Sequence, residues 1–151
     1  MSLSVAVRAA VPADLPELIA LIREHAEYER AAPPPSDLAD GLSRLLFGPV
    51  PRLYAFVAAA GDDIVGYVTA SLEASTWQGA EFLHMDCLFL RPAARGAGLG
   101  ELLVDALRDL AGELGATEMR WQTPDWNEGA IRFYDRTGAT RSGKQRYTLS
   151  I

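Results

Sequence analysis

The chain has 151 residues, 49% apolar and 23% charged, a composition that fits one ordinary domain spanning 1–151 with a single core. Twenty acidic against 14 basic side chains leave a net charge of −6, which argues against a nucleic-acid surface and mildly favours cationic substrates. No apolar run approaches a membrane span, no signal-peptide pattern opens the chain and the single cysteine, Cys87, excludes an internal disulfide, so a soluble cytoplasmic protein without a membrane partner is expected.

Met1-Ser2-Leu3 reads partly as a vector remnant and carries no weight. Residues 4–9 alternate Val5 and Val7 with smaller or polar residues and predict a first strand. Pro12-Ala13-Asp14 gives helix-start chemistry to a stripe at Leu15, Leu18, Ile19, Ile22 and Ala26, a helix reaching about Tyr28. After the stiff Pro33-Pro34-Pro35, Ser36 is the expected N-cap of a second helix over residues 37–47, broken by Gly48-Pro49. Residues 52–60 and 64–73 predict a hairpin across Gly61-Asp62-Asp63, residues 74–79 a loop, and residues 81–90 a fourth strand.

That strand ends in Leu88-Phe89-Leu90-Arg91-Pro92-Ala93-Ala94-Arg95-Gly96-Ala97-Gly98-Leu99-Gly100 and passes into a helical pattern from Glu101 to about Leu114, closed by Gly115. Glycines at alternate positions let several backbone N–H groups converge on one anion, with the helix N-terminus behind them and Arg95 adding a charge that can fork onto phosphate oxygens. Gly100 is followed by Glu101-Leu102 rather than the Lys-Ser/Thr of a Walker loop, and G-x-G-x-G late in the chain is not the Rossmann fingerprint. The reading is a pyrophosphate cradle. Residues 118–123 predict a fifth strand. After Pro124-Asp125, Trp126-Asn127-Glu128-Gly129-Ala130-Ile131-Arg132-Phe133-Tyr134 predicts a short helix stopped by Gly138, with Asn127 and Tyr134 near one face; residues 144–151 predict a last strand.

Arg95-x-x-Gly98-x-Gly100 resembles the acetyl-CoA signature of the GNAT superfamily of N-acyltransferases. Asn127-x-x-Ala130-x-x-x-Tyr134, followed by Gly138-Ala139, resembles its second block, and Arg8-Ala9-Ala10-Val11-Pro12-Ala13-Asp14 resembles its opening. The order βααβββαβαβ matches that fold over essentially the whole chain. The resemblance implies an α+β fold, a central mixed, twisted sheet flanked by helices whose fourth and fifth strands splay apart around the pantetheine arm. It assigns acetyl-CoA as cosubstrate to Leu88, Phe89, Leu90, Arg95, Gly96, Ala97, Gly98, Leu99, Gly100, Glu101, Asn127, Ala130 and Tyr134. It also implies a homodimer.

Transfer from a thioester to an amine needs a neutral amine and a proton for the departing thiolate. A phenol is well matched to a thiol, which makes Tyr134 the candidate general acid, against a plain packing role. Asp86, in an apolar strand, is the candidate base or amine anchor, against a merely polar solvent face; alternation places it with His84 and Leu88 and turns Cys87 away from His84. Cys87 then reads as a small buried hydrophobe. Within the superfamily the likeness runs to the diamine and polyamine acetyltransferases of the spermidine/spermine type, whose Tyr-Glu pair on the first helix matches Tyr28 and Glu29 and contacts the amine. Asp86 replaces that group's glutamate, one methylene shorter, and the loop before the fourth strand is rewritten around Trp77. Glu24, Glu27 and Glu29 equally fit a solvated helix face. His25 and His84 make no metal spacing with a cysteine or carboxylate pair, so no metal is expected, and Trp121 and Trp126 fit packing or an aromatic wall beside an amine.

Overall fold

In the computed structural model, which describes residues 4–151, the helix that follows β1 (Val5–Ala9) starts on an ion pair. Arg8 donates to both carboxylate oxygens of Asp14 at 2.7 and 2.9 Å, and Asp14 also accepts the Val11 N–H at 2.8 Å. That carboxylate closes the 3-10 turn Pro12–Asp14 leading into α1 (Leu15–Tyr28), which explains the spacing of the opening Arg-Asp pair. The reading of Met1-Ser2-Leu3 lies outside the described residues.

The chain divides into two compact units, Met1–Trp121 and Gln122–Ile151. In the first, α2 (Leu38–Phe47), β2 (Tyr54–Ala60), β3 (Asp63–Ser75), β4 (Ala80–Leu90), α3 (Leu99–Glu113) and β5 (Met119–Arg120) follow α1. The sheet order is β1-β2-β3-β4-β5, antiparallel except for β4 against β5. The expected hairpin closes on the two residues Gly61 and Asp62, because Ala60 pairs with Asp63. Asp37, rather than Ser36, is the N-cap of α2.

Each sheet face has its own helices. Ala55, Val57, Tyr67 and Phe89 share a face with Leu18 and Leu21 of α1 and Leu42 and Leu46 of α2 in one buried cluster. Leu18, Leu21, Val57 and Tyr67 are at most 1% exposed, and burying each such side chain contributes about 1.5–3 kcal/mol. The alternate residues Val68, Ala70, Leu83 and Met85 are buried on the other face, and α3 packs on β1 to β4 with Leu103, Val104 and Leu107 buried.

β4 and β5 pair only at Leu83–Met119 and His84–Arg120. The fifth strand is shorter than the expected 118–123. From Met85 onward β4 runs on without a β5 partner among the described residues, which is the splay the sequence reading expects. A bulge interrupts β4: Thr69 pairs with Cys87 and Ala70 with Met85, leaving Asp86 as the extra residue.

In the second unit α4 (Glu128–Asp135) is capped by Asn127, whose Oδ1 accepts the Ala130 N–H at 3.3 Å, and Gly138 takes the left-handed φ of +90°. The expected last strand over 144–151 is not formed. Tyr147, Leu149 and Ile151 keep the period-2 alternation of a strand, yet all are exposed.

Candidate active site

The glycine loop has the backbone geometry that suits an anion. After β4 and the 3-10 turn Pro92–Ala94, Gly96 and Gly98 sit at φ +82° and +81°, a region other residues rarely enter. The first helical bond of α3 runs from the Leu102 N–H to the Gly98 carbonyl, so the N–H groups of Leu99, Gly100 and Glu101 precede the ladder at the positive end of the helix. A Cβ at Gly96 or Gly98 would meet nothing within 4 Å, so the space outside the loop is open to a ligand. Backbone donors, a helix terminus and open space fit the diphosphate of a nucleotide-like coenzyme.

Arg95 takes a position the sequence does not foretell. Its Nε donates to the Leu90 carbonyl at 2.9 Å, and its guanidinium lies 5.0 Å from the centre of the Tyr28 ring and 5.7 Å from that of Phe89. The loop arginine thus links the end of β4 to the end of α1. Arg91 ties the same two elements from beside it. It binds both carboxylate oxygens of Glu24 at 2.9–3.2 Å and donates to the Ile64 carbonyl at 3.2 Å. Glu24 therefore has a structural partner rather than a purely solvated place. Nothing in the sequence reading singled out Arg91; an arginine between a strand end and a proline was the only signal.

The bulge corrects the face assignments. Ladder parity now places Cys87 on the same face as His84, Tyr67 and Thr69, and Leu88 on the opposite one, where unbroken alternation had the reverse. Asp86 is also not buried. Its side chain is 55% exposed, with Oδ1 3.9 Å from His84 Nε2, and Oδ2 accepts from Cys87 Sγ at 3.7 Å. A carboxylate on a bulge at the start of the splayed segment is aimed at solvent without a desolvation cost.

Beneath it lies a polar chain that the sequence reading missed. Tyr67 Oη lies near the Cys87 thiol and stands 2.7 Å from His25 Nδ1; His25 Nε2 stands 3.1 Å from Glu29 Oε1. Burial, reinforced by the nearby thiol and the charges of Asp86 and Glu29, pushes the Tyr67 phenol far above its ordinary range. Burial first and the Asp86 charge second raise the Cys87 thiol to about 11. Cys87 is thus a protonated, hydrogen-bonded thiol rather than a simple hydrophobe. The legible signal was the period-2 pair Tyr67 and Thr69, polar-tipped residues inside an apolar strand.

The second unit holds Asn127, Ala130 and Tyr134. Asn127 is 6% exposed and serves as the α4 cap; Tyr134 is half-buried, with Phe133 beside it at 5.3 Å between ring centres. Its carbonyl accepts the Thr137 hydroxyl at 2.6 Å. Among the described residues no group of three or more His, Cys, Asp or Glu gathers as a metal site.

Comparison with known proteins gives these features a family. The chain is 33% identical over 119 residues to the thialysine N-epsilon-acetyltransferase of Caenorhabditis elegans, which covers 79% of this chain and 72% of that protein. It is 26% identical over 140 residues to the human spermidine/spermine N(1)-acetyltransferase-like protein 1, covering 88% of this chain and 20% of that one. The crystal structure of a transcriptional regulator from Bacillus halodurans C-125 superposes with a TM-score of 0.83 at 22% identity, covering 97% of this chain and all of that one, and so shares the fold. The acetyltransferase (GNAT) family model matches residues 17–139, which takes in the glycine loop, the splayed β4 and the Asn127–Tyr134 block alike, and the chain belongs to that family.

Proposed function

We propose that the protein is an acetyl-CoA-dependent N-acetyltransferase that acetylates a small primary amine by direct transfer in a ternary complex, with residues 1–151 working as one domain. The observation that carries this reading is the pair of left-handed glycines opening the α3 amides at the end of a strand that, from Met85 onward, has no β5 partner among the described residues. In this reading Gly96, Ala97, Gly98, Leu99, Gly100 and Glu101 hold the diphosphate, and Arg95 exchanges the Leu90 carbonyl for a phosphate oxygen. Leu88, Phe89 and Leu90 offer their backbone to the pantetheine arm. When bound, acetyl-CoA supplies the activated acetyl group. Asp86 takes the proton that an alkylammonium must lose, and its exposure suits it to exchange that proton with water. Tyr134 holds the proton for the departing sulfur. Tyr28 and Glu29 anchor the acceptor.

The acceptor class favoured is a diamine or polyamine, in keeping with the net charge of −6 and the carboxylates at Glu29 and Asp86. The name of the Caenorhabditis elegans relative supports a second reading, an amino acid with a terminal side-chain amine. A panel of amines with acetyl-CoA as donor separates the two. Calorimetric titration with acetyl-CoA should show binding, and its absence at millimolar ligand overturns the whole reading. Tyr134→Phe should lower kcat by roughly 10²-fold with little change in coenzyme affinity; unchanged turnover removes Tyr134 from the mechanism.

A further inference from the structure

Both nitrogens of His25 are committed. Its side chain is 10% exposed, stacked on Phe89 at 5.0 Å and 21° between planes, with Nδ1 on the Tyr67 hydroxyl and Nε2 on Glu29. A neutral ring satisfies this arrangement in one sense: the Tyr67 O–H donates to Nδ1, and Nε2–H donates to Glu29 Oε1. Burial keeps the proton on Tyr67, and the 2.7 Å contact to Nδ1 holds the ring's orientation from behind. The Glu29 side chain, at 35% exposure, reaches solvent while one of its oxygens is held.

With the ring neutral, such an arrangement orients a carboxylate without cancelling its charge. A cationic side chain in the place of His25 would neutralise Glu29; an aliphatic one would leave it free to swing. Arg95, beside the end of α1, is placed over the rings of Tyr28 and Phe89. The geometry points to His25 as a positioning residue that makes this a site for acceptors carrying a second ammonium, by presenting Glu29 to the amine that does not react. The inference rests on the acceptor-binding role given to Glu29 above, and the Tyr67–His25–Glu29 chain extends that role into the protein interior.

The test compares an α,ω-diaminoalkane with the n-alkylamine of equal length at pH 8. His25→Ala should raise KM for the diamine about tenfold while moving KM for the monoamine less than threefold, with kcat at saturating diamine nearly unchanged. His25→Gln, which keeps a neutral donor, should recover most of the loss. Tyr67→Phe, which removes only the lock on Nδ1, should produce the same selective loss at about threefold, and serves if His25→Ala does not fold. In the wild type, the His25 ring resonances should shift on titration with the diamine and not with the monoamine, a readout that needs no turnover. Equal KM changes for both amines, or His25 resonances indifferent to the diamine, overturn the proposal. A diamine-specific shift in a protein that acetylates neither amine overturns the acetyltransferase reading and leaves the positioning role standing.

Discussion

Asp14 accepts three hydrogen bonds, and the largest influence on it, the Arg8 guanidinium, holds its carboxyl below the usual carboxylate range, outweighing the opposing effect of burial. A depressed folded-state pKa stabilises the protein above the unfolded value of about 3.9 and is lost as pH falls through the folded one. Asp14→Asn should cost about 1–3 kcal/mol at pH 7, a deficit that shrinks toward pH 2, as urea midpoints at the two pH values would show. An equal deficit at both would mean that the charge is not the cause. Cys87 gives a second residue-scale test. With its thiol at about 11, only about one part in 10³ is thiolate at pH 8, against roughly a quarter for an unhindered cysteine. Labelling of the native protein by a disulfide reagent should therefore run at least about 10²-fold slower than labelling in guanidinium; comparable rates would contradict the half-buried, hydrogen-bonded thiol. The Arg8 and Asp14 spacing was legible as a local motif, though not the ion pair it makes. The state of Cys87 was not, since it depends on Tyr67 and Thr69 meeting it across a ladder whose register the bulge resets.

At the scale of elements, strand and helix positions followed from hydrophobic spacing, and the misses came where pairing rather than pattern decides. Alternation along β4 holds only while every residue has a partner; the extra residue at Asp86 flips the faces of everything after it, and no feature of residues 81–90 announces that. The other close approach in this sheet is at Gly66, opposite Leu90. A Cβ there would lie 2.4 Å from Leu90 Cδ2 and 2.8 Å from the Phe89 carbonyl oxygen. The leucine can turn aside, but the carbonyl belongs to the ladder and cannot. Gly66→Ala should thus cost roughly 1–3 kcal/mol and push β4 outward at the segment assigned to the pantetheine arm. Weakened acetyl-CoA binding together with a lowered melting temperature is the expected pair of results; a variant with wild-type melting and binding would show that the strand pair relaxes freely.

For the whole molecule, the segment 139–151 raises the question of what its alternation is for. Tyr147 is 91% and Leu149 85% exposed, and a three-residue apolar stripe at strand spacing suits addition as a strand to another chain. The sequence reading expected this stripe inside its own sheet, because a pattern specifies that a strand can form and not which backbone completes it. The homodimer that the family resemblance implies would supply that backbone, with each copy's segment adding to a sheet of the other. Light scattering after size exclusion should then give twice the chain mass for the intact protein and the chain mass for a variant ending at Gly138. Leu149→Asp, which keeps the length and places a charge on the stripe, should shift the same equilibrium toward monomer at micromolar concentration. A full-length protein already monomeric at 100 μM, or a truncated one that remains dimeric, would assign the stripe to something other than a second copy.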